Sequence, residues 1–416
     1  MKKLWIVNQY TVTPEYPAST RHYELAKFMA DRFDVTVWGS NFIHHNKTFR
    51  STRRWVAFEE LMEGFRLVWL PALAYKGNGI MRTTNMLLYA LVLFIAGVIR
   101  ADKPDVILGS SPPLFAAYSS MWVAKVRGAK FILEIRDLWP DSLTEITGKE
   151  GGFIVRMLRY LERSLYRNAD CVIALTEGIE EAVRSRGVDP EKMFFLPNGI
   201  DLQSTELGLD AADRHQMRAR IGIDADDFVF MYAGAHGPAN DLDQLLDAAV
   251  ALKEHTRIKL VLIGEGVEKE RLRSSAAQRG LNNVLFLSAV PKSEIQSYLS
   301  CADAFIICLK NIPLYNGALP NKLFDYMLQD KPIISTVPGE LKRFLEGKGL
   351  GKYGSMRELS DRYLPRLMLD IAHGTKITPA AAGSELVKSV YSRRAQSEAL
   401  AETIQQIIEA KQRGSE

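Results

Sequence analysis

Residues 304–336 restrict the fold of this chain more than any other stretch. The apolar run Ala304 to Leu309 reads as a buried strand. A polar loop follows with Asn316-Gly317-Ala318 at its centre, and Pro320 suits the first turn of a helix, where its missing N–H costs nothing. The helix is expected from Asn321 to Gln329. Asp330-Lys331-Pro332 stops it, and Pro332 to Thr336 begins a second strand. Strand, loop, helix and strand in this order form a parallel βαβ unit. The loop and helix start present backbone N–H groups suited to an anion. Lys322 and Asp325 can share one helix face, a cation for phosphate beside a carboxylate for sugar hydroxyls. An ordinary charge pair on a surface helix fits the same residues.

The βαβ pattern recurs along the chain. Leu4–Gln9, a polar loop, a helix capped by Ser19 or Thr20 and the strand Val35–Ser40 form the first unit. Val106–Ser111, Lys130–Ile135 and Cys171–Thr176 read as further strands, with a helix over Glu177–Arg186. A second series begins at Phe228–Gly234 and continues with Lys259–Gly266 and Val284–Val290. The length suits two domains of about 200 residues each. The fold class expected is α/β, two doubly wound Rossmann-like domains. The boundaries are 1–203, rejoined by a last helix over 391–416, and 204–390. Met356–Ala372 and Glu385–Lys411 read as helices. No Gly-rich dinucleotide fingerprint follows the first strand, which argues against nicotinamide binding.

Strand ends carry the polar clusters, and ligands of open α/β sheets bind there. Lys130 to Ser142 runs from an apolar strand into Glu134, Arg136 and Asp137, then Leu-Trp-Pro-Asp-Ser. Gly234-Ala235-His236-Gly237 and Gly264-Glu265-Gly266 close two strands of the second series, and Val290-Pro291-Lys292 closes a third. Asp224-Ala225-Asp226 and Asp241-Leu242-Asp243 have the spacing of a metal site, but their places in a loop and at a helix start read as solvated acids or caps.

These stretches together resemble the retaining glycosyltransferases of family 4, over nearly the whole chain. They are similar to the branch that includes the N-acetyl-L-fucosamine transferase of O-antigen synthesis. Arg136 to Ser142, Glu15 to Leu25, Pro197-Asn198-Gly199-Ile200-Asp201, Pro320-Asn321-Lys322 and Tyr391-Ser392-Arg393-Arg394-Ala395 carry the resemblance. The family's Glu, seven residues, Glu is here Gly317 and Asp325, and its Arg and Lys for the diphosphate are here Ala235 and Asn240. Many relatives have His where Arg136 stands, so no general-base role carries over. The resemblance implies the GT-B arrangement, two domains facing across a cleft. It implies a donor side of Gly234, Gly237, Gly264, Gly266, Val290, Asn316, Gly317, Ala318, Leu319, Asn321 and Asp325. Lys322, Asp137 and Arg136 are the implied catalytic residues, and Thr20, Arg21 and Glu134 the implied acceptor side. The donor expected is a UDP-sugar, with no metal and no cofactor. The acceptor expected is a polyprenyl-diphosphate-linked saccharide of O-antigen or capsule synthesis. A sugar-nucleotide 2-epimerase of the same fold, or a non-catalytic sugar-nucleotide-binding subunit, is compatible with the same stretches.

Charge and apolar content bound the partners. A net charge of +4 is too small to suggest nucleic acid. Residues 1–200 hold 26 Lys and Arg against 21 Asp and Glu, and the rest holds 27 against 28. The basic first half suits an anionic membrane or acceptor. Met86–Ile99 has no charge and reads as too short to span a bilayer, which takes about 20 residues; a buried core helix is the simpler reading, and a membrane-dipping one stays open. Phe153–Asn168 is amphipathic, with an apolar stripe of Ile154, Leu158, Leu161 and Leu165 and with Arg156, Arg159, Arg163 and Arg167 beside it; a solvated face over a core stripe is the simpler reading, and a helix lying on a membrane stays open. Cys171, Cys301 and Cys308 read as free buried thiols of a reducing compartment. The location expected is cytoplasmic, at the inner-membrane surface.

Overall fold

The computed structural model describes residues 1–416 except 17–18, 45, 78, 148–150, 204–210, 359–362, 375–382 and 414–416. Pro17 and Ala18 of the Glu15–Leu25 pattern therefore lie outside the described residues, as does the expected boundary at 204.

Apolar runs alternating with helices give two parallel sheets. The first unit holds β1 (Lys2–Val7), β2 (Phe33–Ser40), a short ladder of β3 (Phe42–Ile43) and β4 (Thr48–Phe49), β5 (Phe58–Leu61), β6 (Arg66–Leu70), β7 (Val106–Ser111), β8 (Lys130–Ile135), β9 (Cys171–Ala174) and β10 (Met193–Phe195). Its main sheet runs β10-β9-β8-β7-β1-β2-β6-β5, with only the edge strand β5 antiparallel. The second unit holds β11 (Phe228–Ala233), β12 (Ile258–Ile263), β13 (Val284–Leu287), β14 (Ala304–Ile307), β15 (Ile333–Ser335) and β16 (Gly351–Tyr353). These run β13-β12-β11-β14-β15-β16, all parallel. Central strands read as continuous apolar runs because helices cover both faces of a parallel sheet. Each sheet reverses its winding once, between β1 and β7 in the first and between β11 and β14 in the second.

The helices of the first unit are α1 (Arg21–Met29), α2 (Ile80–Ile99), α3 (Leu114–Arg127), α4 (Asp141–Thr147), α5 (Phe153–Asn168) and α6 (Glu177–Ser185). Those of the second are α7 (Ala211–Arg220), α8 (Asp243–Ala251), α9 (Lys269–Gln278), α10 (Ile295–Ser300), α11 (Lys322–Met327), α12 (Glu340–Gly347), α13 (Leu364–Ala372) and α14 (Gly383–Leu386). The last, α15 (Arg393–Arg413), returns to α1. Parallel crossovers are right-handed. That rule puts α2, α3 and α5 on one face of the first sheet and α1 on the other.

Several expectations are corrected. The first crossing between units lies at Asn198–Gly199, before residue 203, and the chain returns at Arg393. The helix expected over 385–411 is broken, because Ser392 is extended (φ −69°, ψ 132°) and pairs with Ile200. The helix at Met86–Ile99 begins earlier, at Ile80, and has 20 residues. It is no buried core helix: only Asn85, Met86, Tyr89, Leu93 and Gly97 are enclosed. By length and composition alone it is also long enough to cross a membrane. In α5 the buried stripe is Val155, Leu158, Glu162, Leu165 and Tyr166, and Ile154 is exposed.

The start of α1 explains how the ends of this unit are tied together. Arg21 Nε donates to Glu134 Oε1 at 2.7 Å, and its Nη atoms donate to the Pro197 and Leu196 carbonyls at 2.7 and 2.9 Å. His22 Nε2 meets Glu134 Oε2 at 2.7 Å, and His22 Nδ1 meets the Asn8 amide at 2.9 Å. Arg393 Nε donates to Glu24 Oε2 at 3.0 Å, and the Gln396 amide donates to the Pro197 carbonyl at 3.2 Å. Thr20 donates its hydroxyl to Glu24. Thr20, Arg21 and Glu134 are 3%, 1% and 0% exposed, so in this structure they hold the fold and do not face an acceptor. Burial opposes ionisation of Glu134, but Arg21 and His22 outweigh it and hold the carboxyl well below the usual range.

Removing one partner of a buried ion pair leaves the other charge uncompensated. Arg21→Met is therefore expected to cost about 3–5 kcal/mol at neutral pH, read from the urea midpoint. The native Glu134 pKa is depressed, so its contribution is complete above the ordinary Glu value and is lost as pH falls below it. The deficit of Arg21→Met should shrink below about pH 4.3. A deficit independent of pH would contradict this.

Candidate active site

The reversal of the second sheet selects the place where a ligand would sit. In open α/β sheets the crevice lies at the carboxyl ends of the strands flanking the reversal. Here those ends lead into residues 234–242 after β11 and 308–321 after β14. Lys310 N donates to the Ala239 carbonyl at 2.9 Å and ties the two loops together.

Lys322 opens α11 and reaches back under the first loop. Its Nζ donates to the Tyr232 hydroxyl at 2.8 Å and to Asn240 Oδ1 at 3.4 Å, and lies 3.9 Å from the Tyr232 ring centroid. Tyr232 in turn donates to the Ala235 carbonyl at 2.9 Å. Desolvation brings the Lys322 pKa down to about 7. Among the described residues the partners of this ammonium are neutral, a phenol, an amide oxygen and an aromatic face.

The glycines fall into two classes. A Cβ on Gly234 would lie 2.6 Å from Lys322 Nζ, so the lysine passes only because the side chain is missing. A Cβ on Gly264 would lie 1.9 Å from the Gly234 carbonyl oxygen, and one on Gly266 would lie 2.2 Å from the His236 carbonyl oxygen. Gly264 and Gly266 thus permit backbone to pack on backbone, while Gly234 makes room for a side chain. A Cβ on Gly237 or Gly317 would meet nothing within 4 Å, so both border open space. The loops after β11 and β12 are joined by His236 N to the Glu265 carbonyl and Glu268 N to the His236 carbonyl, each at 2.9 Å.

Two residues at this site were missed in the sequence, Tyr232 and His236. Tyr232 looked like one more strand residue, and His236 like loop filler between glycines. The His236 ring is fully buried, and among the described residues neither nitrogen has a hydrogen-bond partner. Burial first, then the Lys269 charge, brings its pKa down to about 4, so it is neutral at pH 7.

The remaining donor-side residues are placed as follows. Pro320 lies outside α11 and Asn321 is its cap, so the helix is six residues and not the nine of Asn321–Gln329. A helix this short adds little dipole. Leu319 is buried in the core, the Ala318 amide turns back to the Tyr315 carbonyl at 3.1 Å, and the Asn316 carbonyl accepts from Glu340 N at 2.6 Å. Asp325 does not meet Lys322; it accepts from Gln296 Nε2 at 3.4 Å and is half-buried. The strand expected through Val290 ends at Leu287, and Val290 packs partly buried on the core of this unit. Asp243 is held by Arg271 at 2.9 and 2.6 Å, and Asp241 accepts from Gln244 at 2.8 Å. Among the described residues no three His, Cys, Asp or Glu side chains are grouped as metal ligands.

Arg136 and Asp137 belong to the first unit, at the carboxyl end of β8. Arg136 reaches the Pro112 carbonyl at 3.4 Å, while its buried Nε has no partner among the described residues. Asp137 accepts from the Ser142 hydroxyl. Burial pushes the Asp137 carboxyl up despite that bond and the nearby Arg136.

Comparison with known proteins follows the same division. Residues 18–199 match the family described as "Glycosyl transferase 4-like domain", and residues 213–348 match "Glycosyl transferases group 1". A relative from Escherichia coli (strain K12), titled "Putative colanic acid biosynthesis glycosyl transferase WcaI", is 29% identical over 54% of this chain and 55% of its own length. The chain thus spans about half the length of that curated relative. Sucrose-phosphate synthase from Thermosynechococcus elongatus superposes with a TM-score of 0.72 at 17% identity, covering 99% of this chain and 100% of that one. HepE of Anabaena, solved in complex with UDP-glucose, superposes with a TM-score of 0.69 at 17% identity, covering 98% and 100%. These two likenesses establish the fold, which is GT-B.

Lys322 provides a test by titration. Its folded pKa of about 7 lies below the unfolded value near 10.4. Between these values the unfolded chain binds more protons, so stability rises with pH. From pH 7 to 10 the wild-type urea midpoint should gain on that of Lys322→Met. A constant difference would mean that the ammonium is solvated.

Proposed function

Taking the chain as what its two domains make it, a group 1 glycosyltransferase of GT-B fold, we propose that it is a retaining enzyme using a UDP-sugar. The sugar moved is N-acetylated, and the acceptor is a polyprenyl-diphosphate-linked saccharide of O-antigen or capsule assembly at the cytoplasmic face of the inner membrane. The observation that carries the donor half is Lys322, a desolvated ammonium with neutral partners beside two glycine loops at a sheet reversal. A diphosphate supplies the charge that this lysine lacks and restores its protonated form.

In this reading the β-phosphate of UDP leaves toward Lys322 and the backbone N–H groups of the loops. Charge that grows on the leaving oxygen is met by groups already in place. The acceptor hydroxyl attacks from the face that UDP leaves, and its proton passes to the departing phosphate. Gly237 and Gly317 leave room for the donor, since both border open space. The family resemblance implies a Glu where Gly317 stands, so in this reading the contact to the sugar falls to backbone. Asp325 holds ribose hydroxyls, and Arg136 with Asp137 serves the acceptor. No step in this scheme calls for a divalent cation, so turnover is expected to persist in EDTA.

Lys322→Ala should lower kcat by about 10²–10³-fold, the usual size for losing one donor to a developing charge. Asp325→Ala should mainly raise the donor KM, because ribose hydroxyls hardly change during transfer. UDP should raise the melting temperature of the wild type, as any ligand of the native state does. A folded Lys322→Ala protein with wild-type turnover would overturn the proposal. A protein that binds UDP-sugar and never releases UDP with any lipid-linked acceptor would be a binding subunit.

A further inference from the structure

We propose that the outer face of α2, α3 and α5 is a docking surface for an anionic phospholipid bilayer. The three helices lie on the same side of the first sheet, and α3 packs against both α2 and α5. Their outward side chains are apolar to a degree unusual for a water-facing layer. Leu91 and Ile95 of α2 are 58% and 50% exposed, Trp122 of α3 is 42% exposed, and Phe153 of α5 is 76% exposed. Met157 and Tyr160 continue the α5 face at helical spacing. Exposed apolar patches of this kind mark interaction sites.

Charge selects the partner. The three helices together contain seven Lys and Arg and one acid, Glu162. Glu162 is buried and paired with Arg186, so no carboxylate faces outward from them. Arg127 is used on the Val98 and Arg100 carbonyls, and Arg159 is paired with Asp141. Lys125, Arg156, Arg163 and Arg167 remain exposed, and no ion pair holds any of them among the described residues. Two copies of this face would set like charges together. A surface of anionic lipid accepts all of them, and Trp and Tyr beside Arg favour the interface between headgroups and chains.

Packing decides how deep α2 goes. A Cβ on Gly97 would lie 2.9 Å from Val123 and 3.5 Å from Trp5. Ser119 donates to the Ala90 carbonyl at 2.7 Å, and Arg127 holds the last turn. Crossing the bilayer would strip Tyr89 and Leu93 out of the core. The helix therefore lies in the interface plane and does not span, whatever its length.

The purpose of such docking rests on the lipid-linked acceptor proposed above; the binding itself does not, and it is measured without turnover. The full chain is sedimented with vesicles of phosphatidylcholine, or of equal parts phosphatidylcholine and phosphatidylglycerol. Binding should be about tenfold stronger to the anionic vesicles and weaken with salt. Arg156→Glu with Arg163→Glu should remove that preference. Leu91→Gln, Ile95→Gln and Trp122→Ser together should abolish binding, while the shift in melting temperature given by UDP stays as in the wild type. Loss of both would place the fault in the fold or the donor site. Variants that bind vesicles as the wild type does would overturn the proposal. So would a wild-type dimer that the apolar variants dissociate and that ignores vesicles, since the face would then be an interface between two copies.

Discussion

Backbone packed on backbone, without side chains between, is the constraint on which the candidate site of the second unit depends. The loops after β11 and β12 approach so closely that a methyl group on Gly264 would lie 1.9 Å from the Gly234 carbonyl oxygen. This contact buries the His236 ring and leaves a path for Lys322 past Gly234 to Tyr232. The lysine is held by one phenol, one amide oxygen and an aromatic face, none of them charged. Its basicity falls because burial removes hydration that these neutral partners replace only in part. The glycines therefore make room for a cation whose charged form is disfavoured where it sits.

The first unit uses its charges in the opposite way. Glu134, Arg21, His22, Glu24 and Arg393 are as buried as the apolar core, yet each has a partner. Paired charges inside a protein contribute little net stability but penalise any arrangement that separates them. Here the pairs join α1, β8, α15 and the carbonyls of Leu196 and Pro197. They define where the first unit ends, at the residue before Gly199.

That difference explains how much could be read from the chain alone. Strands were legible because burial on both faces of a parallel sheet leaves uninterrupted apolar runs, as at Val106–Ser111 and Lys130–Ile135. The ends of strands were less so: the pattern carries Val284 on to Val290, but pairing stops at Leu287. Lys322 was legible from its position after a loop. Its partner Tyr232 was not, since a tyrosine in a strand carries no mark of what its hydroxyl meets. Thr20, Arg21 and Glu134 looked like polar groups for a ligand because a strand end collects polar residues whether they face a ligand or each other. Only three-dimensional pairing separates the two. The break at Ser392 was hidden for a related reason, since one extended residue between two helical segments leaves their periodicity intact.

The same limit applies to α2. Its sequence is apolar on every side, and periodicity cannot tell a buried helix from one that faces lipid. What decides is the neighbours. The inner side closes on Trp5 and Val123 without a gap, which holds the helix to the sheet. Its outer side continues over α3, which packs against α5, and these two bring basic and aromatic residues but no exposed carboxylate. The excess of +5 in residues 1–200 is thus not spread evenly. Part is neutralised within the fold, at Arg21 and Arg186, and part stands on one apolar face. An apolar face alone would drive any contact that excludes water. Unpaired arginines on it make most such contacts costly, because each must be desolvated without a counter-charge. A negatively charged bilayer meets both demands at once, and the helix geometry already fixes the plane in which it would lie.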